Sequence, residues 1–280
     1  MNISELKRLW QEHGFHPTKR LGQNFLIDKN IRDNILNTVP FSADSVVVEI
    51  GAGFGVMTFE AAERCRRLYA VEKDEKICAI MAPLFSKKEN LELVRGDILE
   101  FDLCSIASRD KGILVLGNIP YYITTPVIEK IITERKCIRG AYIVVQDELA
   151  SRIVSPPGRK DYGALTCFVQ FYAEVEKVFK IKKNSFYPRP NVDSCLLKLA
   201  MSPEPRVKVR DKELMFRIVR KAFQQRRKKI LNSLSHGGFL DMDKGEWQDV
   251  LQDCGVDIYK RAEDISLLDY ARISDAAGER

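Results

Sequence analysis

The first residues able to do chemistry form a glycine-rich segment, Glu49-Ile50-Gly51-Ala52-Gly53-Phe54-Gly55, between an apolar run and a helical stretch. Glycines are needed where a backbone turns sharply and comes close to a ligand. A dinucleotide fingerprint requires glycine at 56, but Val56 stands there, so G-x-G-x-x-G fails and G-x-G-x-G remains. The pattern weakens a nicotinamide oxidoreductase and favours S-adenosylmethionine; a purely structural glycine turn is the plainer alternative. Glu72 follows 21 residues after Gly51 and closes the next apolar run, where a carboxylate can bind both ribose hydroxyls. Asp97, after Arg95-Gly96, closes a third run, where a carboxylate can accept from an adenine amine. Taken singly, each is a surface or helix-capping carboxylate. At consecutive strand ends beside a glycine loop, they outline an adenosine-shaped site contacted by Gly51, Gly53, Glu72 and Asp97.

A second segment, Gly117-Asn118-Ile119-Pro120-Tyr121-Tyr122, closes a fourth run. By itself it reads as a strand-to-loop turn, but methylation of an amine gives each residue type a use. An exocyclic base amine is a poor nucleophile because its lone pair is conjugated with the ring. The Asn118 amide oxygen and the Ile119 carbonyl can accept its two N–H groups, favouring a pyramidal nitrogen and stabilising developing charge. Pro120 lacks an N–H and stiffens the turn, and the Tyr121 ring offers a face on which a base can stack.

The elements that must position these residues repeat one pattern, an apolar β-branched run followed by a helical stretch. Val46–Ile50, Leu68–Glu72, Leu91–Val94, Ile113–Leu116 and Ala141–Val145 start 22, 23, 22 and 28 residues apart, which is βαβ spacing. Runs apolar at nearly every position imply strands covered on both faces and a mainly parallel sheet. With Val175–Ile181 and Val192–Leu199 the expected sheet has seven strands, helices on both faces, and a ligand crevice at the carboxyl ends. Met201-Ser202-Pro203-Glu204-Pro205 reads as a linker. Beyond it, Met215, Ile218, Val219, Ala222 and Phe223 follow helical spacing, and no strand-like run appears after Leu199. The expected layout is an α/β cofactor-binding domain over 1–202 and a helical domain over 203–280.

A chain of 280 residues with 45% hydrophobic and 30% charged residues fits such a two-domain globular protein. Apolar runs such as Ala141 to Val145 are too short to span a bilayer. Glu5 and Glu12 interrupt the N-terminal stretch, so a signal peptide is not expected. Seven cysteines, an odd count without C-x-x-C spacing, suggest free thiols in a reducing cytoplasm, and three histidines make a histidine-rich metal site unexpected. No metal, no membrane and a monomer are the expectations. The net charge of +6 conceals an asymmetry. Arg206 to Leu234 carries eleven Lys and Arg against Asp211 and Glu213, a local +9, whereas Phe239 to Arg280 carries −6. Such a block is either a solvated helix face or a polyanion footprint. The residues expected to meet RNA phosphates are Arg220, Lys221, Arg226, Arg227, Lys228 and Lys229, with Lys19 and Arg20 as a second patch.

These segments, in this order, resemble the ribosomal RNA adenine dimethyltransferases that modify small-subunit rRNA. The resemblance runs through Leu21-Gly22-Gln23-Asn24-Phe25-Leu26, the glycine loop, Asn118-Ile119-Pro120-Tyr121, Phe186-Tyr187-Pro188-Arg189-Pro190-Asn191-Val192-Asp193-Ser194 and Gln225-Arg226-Arg227-Lys228. Ala52 stands where relatives often have proline and Ile119 where many have leucine. The resemblance implies a Rossmann-like methyltransferase fold, S-adenosylmethionine as donor with S-adenosyl-L-homocysteine as product, and N6,N6-dimethylation of two adjacent adenosines in a hairpin loop near the 3′ end of 16S rRNA. It places donor contacts at Asn24, Leu26, Gly51, Glu72, Asp97 and Asn118. It makes Phe186 the second stacking surface opposite Tyr121, and small-subunit rRNA within the immature particle the partner.

Three readings compete with this one. The related large-subunit dimethyltransferases that confer macrolide resistance share Asn-Ile-Pro-Tyr, but Tyr122-Ile123-Thr124-Thr125-Pro126, the Pro-Gly loop at 155–163 and the expected helix at Gln225-Arg226-Arg227-Lys228 match the small-subunit branch better. A ribosome-assembly factor acting by binding alone would need the basic surface but not Asn118 and Tyr121. A nicotinamide oxidoreductase is already disfavoured by Val56.

Overall fold

A computed structural model of the chain describes residues 3–18, 21–107 and 112–280. In chain order the strands are β1 (Phe25–Leu26), β2 (Val46–Ile50), β3 (Arg67–Glu72), β4 (Leu91–Arg95), β5 (Ile113–Asn118), β6 (Ile138–Gln146), β7 (Ala173–Ile181), β8 (Phe186–Tyr187) and β9 (Ser194–Met201). The helices are α1 (Ile3–Glu12), α2 (Lys29–Thr38), α3 (Thr58–Ala62), α4 (Glu75–Phe85), α5 (Thr124–Thr133), α6 (Asp147–Ile153), α7 (Ala164–Tyr172), α8 (Lys212–Gln224), α9 (Ile230–Leu234), α10 (Lys244–Asp253) and α11 (Leu267–Ala277).

Seven strands form one sheet in the order β4-β3-β2-β5-β6-β9-β7. The β2, β3, β4, β5 and β6 pairings are parallel, and β9 runs antiparallel to β6. Every residue of β2 and the first five of β5 are buried, as expected of strands covered on both faces. The edge strand β4 shows a mixed pattern instead. The order reverses between β2 and β5, and such a switch point opens the crevice in which doubly wound sheets bind ligands. One connection departs from the expected strand-helix repeat. Between β4 and β5 the described residues hold only a 3-10 turn at Leu103–Ile106.

The chain divides into two compact units, Met1–Ala150 with Glu174–Pro203, and Ser151–Ala173 with Glu204–Arg280. The boundary expected at 202/203 is therefore corrected for 151–173, which belongs to the helical unit. The reason is apolar. Phe168, Phe171 and Tyr172 of α7 pack their rings against Phe216 of α8, at centroid distances of 5.6, 5.2 and 6.2 Å.

The expectation of seven free thiols is corrected at one pair. Cys104 and Cys137 form a disulfide with a Cα–Cα distance of 5.2 Å. They lie 33 residues apart, but each sits in a 3-10 turn just ahead of neighbouring strands β5 and β6, so the sheet brings them together. The other five cysteines are free.

Candidate active site

An aromatic cluster holds the glycine loop from behind. Phe54, in the middle of the loop, is buried against Phe15 and Phe25, with centroids 5.0 and 5.1 Å away. Trp10 of α1 joins them at 5.6 Å from Phe15 and 5.7 Å from Phe25. Rigid backing of this kind lets the loop backbone face a ligand without collapsing. Gly51 and Gly53 have φ of +69° and +54°, a conformation that disfavours side chains. A Cβ on Gly53 would also lie 3.2 Å from the Phe25 ring, tighter than ordinary contact, so the ring would have to give way.

In front of the loop lies a cavity with an empty volume of about 790 Å³, including its open mouth. Leu21 to Phe25, Gly51, Gly53, Glu72, Asp97 and Asn118 to Ile123 line it, together with Lys73 and Ile98. Glu72, at the end of β3, is buried and accepts Gly53 N–H at 2.9 Å and Asp74 N–H at 2.8 Å. Burial pushes its carboxyl above the ordinary range, against the opposing pull of those N–H groups. Asp97 follows β4 and accepts Lys73 Nζ at 2.6 Å and Leu99 N–H at 3.0 Å. Burial works to raise its carboxyl, but the Lys73 ion pair and the Leu99 N–H outweigh it and hold it below the usual range. Two carboxylates on one wall therefore differ in character, one buried and tied to backbone, the other kept ionised by a lysine.

Asn118 ends β5, and its Nδ2 donates to the Asn24 carbonyl at 2.8 Å, which turns the amide oxygen the other way. That bond also fixes the Leu21–Leu26 segment across the cavity. Gln23 strengthens the same strap by donating to Asp74, the N-cap of α4, at 2.7 Å. Ile119 N–H is held by the Val144 carbonyl at 3.1 Å, and Pro120 begins the turn that presents Tyr121. Tyr121 is half-buried, with its hydroxyl 2.8 Å from Ser194 Oγ. Beyond Tyr121 opens a second, wider cavity of about 1290 Å³ including solvent-open space, lined by Thr18, Gln146, Pro188, Arg189, Pro190 and Val192 among others. Gly22, Gln23, Asn24 and Tyr121 border both cavities.

The structure thus brings Asn24, Gly51, Gly53, Glu72, Asp97, Asn118, Ile119, Pro120 and Tyr121 to one cavity. It leaves out two expected residues. Leu26 is buried in β1 and pairs in register with Phe186 of β8, and Phe186 is itself only 2% exposed. Both side chains belong to the core and line neither cavity. This corrects Phe186 as a stacking surface and Leu26 as a side-chain donor contact. A two-stranded ladder turns both inward, and nothing in the local sequence announces it. Tyr122, 53% exposed at the cavity, and Lys73 were missed. Lys73 could have been found from its place next to Glu72.

In the helical unit, α8 ends at Gln224, so Gln225 to Lys229 form a turn and not the expected helix. Arg227, Lys228, Lys229 and Arg220 are exposed. Lys221 lies over the Phe239 ring at 5.5 Å, and Lys229 over the Tyr259 ring at 4.2 Å. Arg226, also expected at phosphates, is partly exposed and partly engaged within the unit. Its guanidinium donates to the carbonyls of Lys160 and Tyr162 and meets Glu263 at 3.3 Å. A bridge between Lys229 and Arg261 brings Tyr259, Lys260 and Arg261 beside the basic turn. The acidic balance of the last forty residues conceals these three. Lys19 and Arg20 lie outside the described residues. One group of possible metal ligands, Asp102, Cys104 and Glu134, lies within 4.8 Å at the amino ends of β5 and β6, where Cys104 is held in the disulfide. No helix among the described residues is long and apolar enough to cross a membrane.

A doubly wound sheet with a glycine cradle and two carboxylates at successive strand ends defines a nucleotide-cofactor enzyme of the adenosylmethionine-dependent methyltransferase class. Residues 14–278 match the family model described as ribosomal RNA adenine dimethylase. A ribosomal RNA small subunit methyltransferase A from Geobacillus thermodenitrificans is 38% identical over 275 residues, covering 96% of this chain and 94% of that one. A dimethyladenosine transferase structure from Plasmodium falciparum superposes with a TM-score of 0.76 at 23% identity, covering 89% and 95% of the two chains. The structure of the 23S rRNA methyltransferase ErmE gives 0.70 at 25% identity, covering 91% and 100%. The chain belongs to the ribosomal RNA adenine dimethylase family.

Proposed function

We propose that the protein dimethylates the N6 amines of two adjacent adenosines in a hairpin loop near the 3′ end of 16S rRNA, releasing S-adenosyl-L-homocysteine. The observation that carries this reading is the shared wall. Gly22, Gln23, Asn24 and Tyr121 border both the adenosyl-shaped cavity and the wider one beside it, so donor and acceptor meet at the Asn118–Tyr121 turn. The residues fit the donor, since the positive φ of Gly51 and Gly53 disfavours side chains in the cradle and the two carboxylates suit ribose hydroxyls and an adenine amine. S-adenosylmethionine supplies a methyl group on a sulfonium, an activated electrophile that needs no metal.

The work left to the protein is on the acceptor. A target adenine must leave its stack to reach the donor, which calls for a face to receive it. Tyr121 offers that face. The Asn118 amide oxygen and the Ile119 carbonyl accept the amine N–H groups, and their attraction grows as the nitrogen becomes cationic. A general base is unnecessary, because the methylated ammonium is acidic enough to lose its proton to water. The monomethylated amine keeps one N–H, so one of the two acceptors serves the second transfer.

Arg227, Lys228, Lys229 and Arg220, with Lys260 and Arg261, form the surface assigned to rRNA phosphates. The substrate is the immature small subunit, met by a monomer in the cytoplasm. A large-subunit substrate is the rival, favoured by the likeness to ErmE and disfavoured by the small-subunit names of the nearer relatives. Incubation with labelled donor and separately purified, undermethylated small and large subunits, followed by mapping of the modified base, decides between them. Label confined to two adjacent small-subunit adenosines supports the reading, and label in the large subunit overturns it.

A further inference from the structure

Ser194 is fully buried, yet its hydroxyl lies 2.8 Å from that of Tyr121, and either group can be the donor. The topology explains how a residue 73 positions away reaches the turn after β5. Asn118 pairs with Val144 on β6, and Gln146 at the end of β6 pairs with Ser194. Because β9 is antiparallel, its first residue arrives at the sheet edge where the parallel strands finish. The neighbouring Asp193 is fixed too, since its carbonyl accepts Asp147 N–H at 3.1 Å and its carboxylate accepts Lys183 N–H at 3.0 Å. Ser194 is therefore a fixed point, whereas Tyr121 sits in a three-residue 3-10 turn between two open cavities.

We propose that Ser194 is a positioning residue for methyl transfer, holding the Tyr121 ring through its hydroxyl so that the ring faces the incoming base. The proposal rests on Tyr121 being the stacking face. An aromatic side chain between two solvent-open cavities has freedom that must be lost when the base docks, and a hydrogen bond to a rigid strand removes that freedom beforehand. A phenylalanine would stack equally well but could not be tied. That gives a reason for tyrosine at 121, since the phenol itself has no proton to transfer in this chemistry.

The test is a double-mutant cycle on the full chain, with undermethylated small subunits as substrate. Ser194→Ala and Tyr121→Phe should each lower kcat by about three- to tenfold, the equivalent of one net hydrogen bond. The double variant should be no slower than either single one, because both remove the same bond. Donor affinity by calorimetry, melting temperature and KM for the particle should stay unchanged, and Ser194→Thr should restore turnover. Additive losses in the double variant, or Ser194→Ala at full kcat while Tyr121→Ala is impaired, overturn the positioning role and leave Tyr121 as the stacking face. Full turnover by Tyr121→Ala instead removes the stacking face itself, and the proposal with it. If Ser194→Ala melts early, Tyr121→Phe probes the same bond from the partly exposed side.

Discussion

Replacing Asn118 by alanine removes two interactions, and the structure separates their signatures. The first is the acceptance of the target amine by the amide oxygen, as proposed above. Its value rises as positive charge develops on nitrogen, so its loss falls on the transfer step. One aimed partner of this kind is worth roughly 2.7–4 kcal/mol, or about a hundred- to a thousandfold in rate. The second is the 2.8 Å bond from Nδ2 to the Asn24 carbonyl, which orders the strap over the donor cavity in the ground state. A neutral bond of that type contributes about 1 kcal/mol, less than tenfold in donor affinity. Single-turnover transfer from labelled donor, at saturating donor and particle, should therefore fall at least about a hundredfold, while calorimetry shows only slightly weaker donor binding. Asn118→Asp keeps an acceptor oxygen and loses the donor to Asn24, so it should match the alanine variant in donor affinity but exceed it in transfer. Near-normal dimethylation by Asn118→Ala, with the chain folded and donor bound, would refute the role given to the amide.

Glu72→Ala should weaken donor binding by roughly 1.5–3 kcal/mol for each ribose hydrogen bond lost; calorimetry showing unchanged affinity removes Glu72 from the site. Neutralising Arg227, Lys228 and Lys229 should flatten the salt dependence of particle binding by about 0.7–0.9 in log-log slope per lost phosphate contact. Donor affinity should not move, and an unchanged slope would make the turn a solvated surface. Arg226→Ala should instead lower the melting temperature, since its guanidinium holds two carbonyls and Glu263 within the helical unit. Glu49 is buried beside the glycine loop with Oε2 unpartnered; burial, with Glu72 adding, raises its carboxyl from 4.5 to about 8 despite the Thr58 hydroxyl. Folding thus favours the protonated form, so this residue's contribution to stability should decline as pH rises from about 4.5 to 8 and stay low above that. Glu49→Gln should remove that decline in thermal denaturation across the same range.

The strand runs and the carboxylates at their ends were legible because a parallel sheet writes itself locally. Each strand is a short continuous apolar stretch, and the functional residue is the first polar one after it. Glu72 and Asn118 follow this rule, Asp97 comes two residues after the first polar one, Arg95, and the strands of the seven-stranded sheet begin within three residues of the expected starts. The donor cavity was readable for the same reason, since its wall is a row of consecutive strand ends. Residues 151–173 were not readable as part of the helical unit. Their assignment depends on which apolar surface Phe168 and Phe171 find, and periodicity says only that they are buried.

Residues of the recurring segments serve different ends in the fold. Phe186, Leu26 and Arg226 all lie inside segments whose order identifies the family, and each is engaged within the protein: two by core packing across β1 and β8, one by carbonyls at 160 and 162. A recurring segment marks residues the fold or the chemistry requires without saying which. Partnership in space distinguishes them. Phe186 is a ring surrounded by core, whereas Tyr121 is a ring with one tied end and a face between two cavities. Ser194 shows the converse. It ends the same segment that Phe186 begins and is more deeply buried, yet it touches the turn where transfer is proposed to occur. Two antiparallel pairings explain both, since β8 leads the start of the segment into the β1 ladder and β9 delivers its end to the carboxyl edge of the sheet.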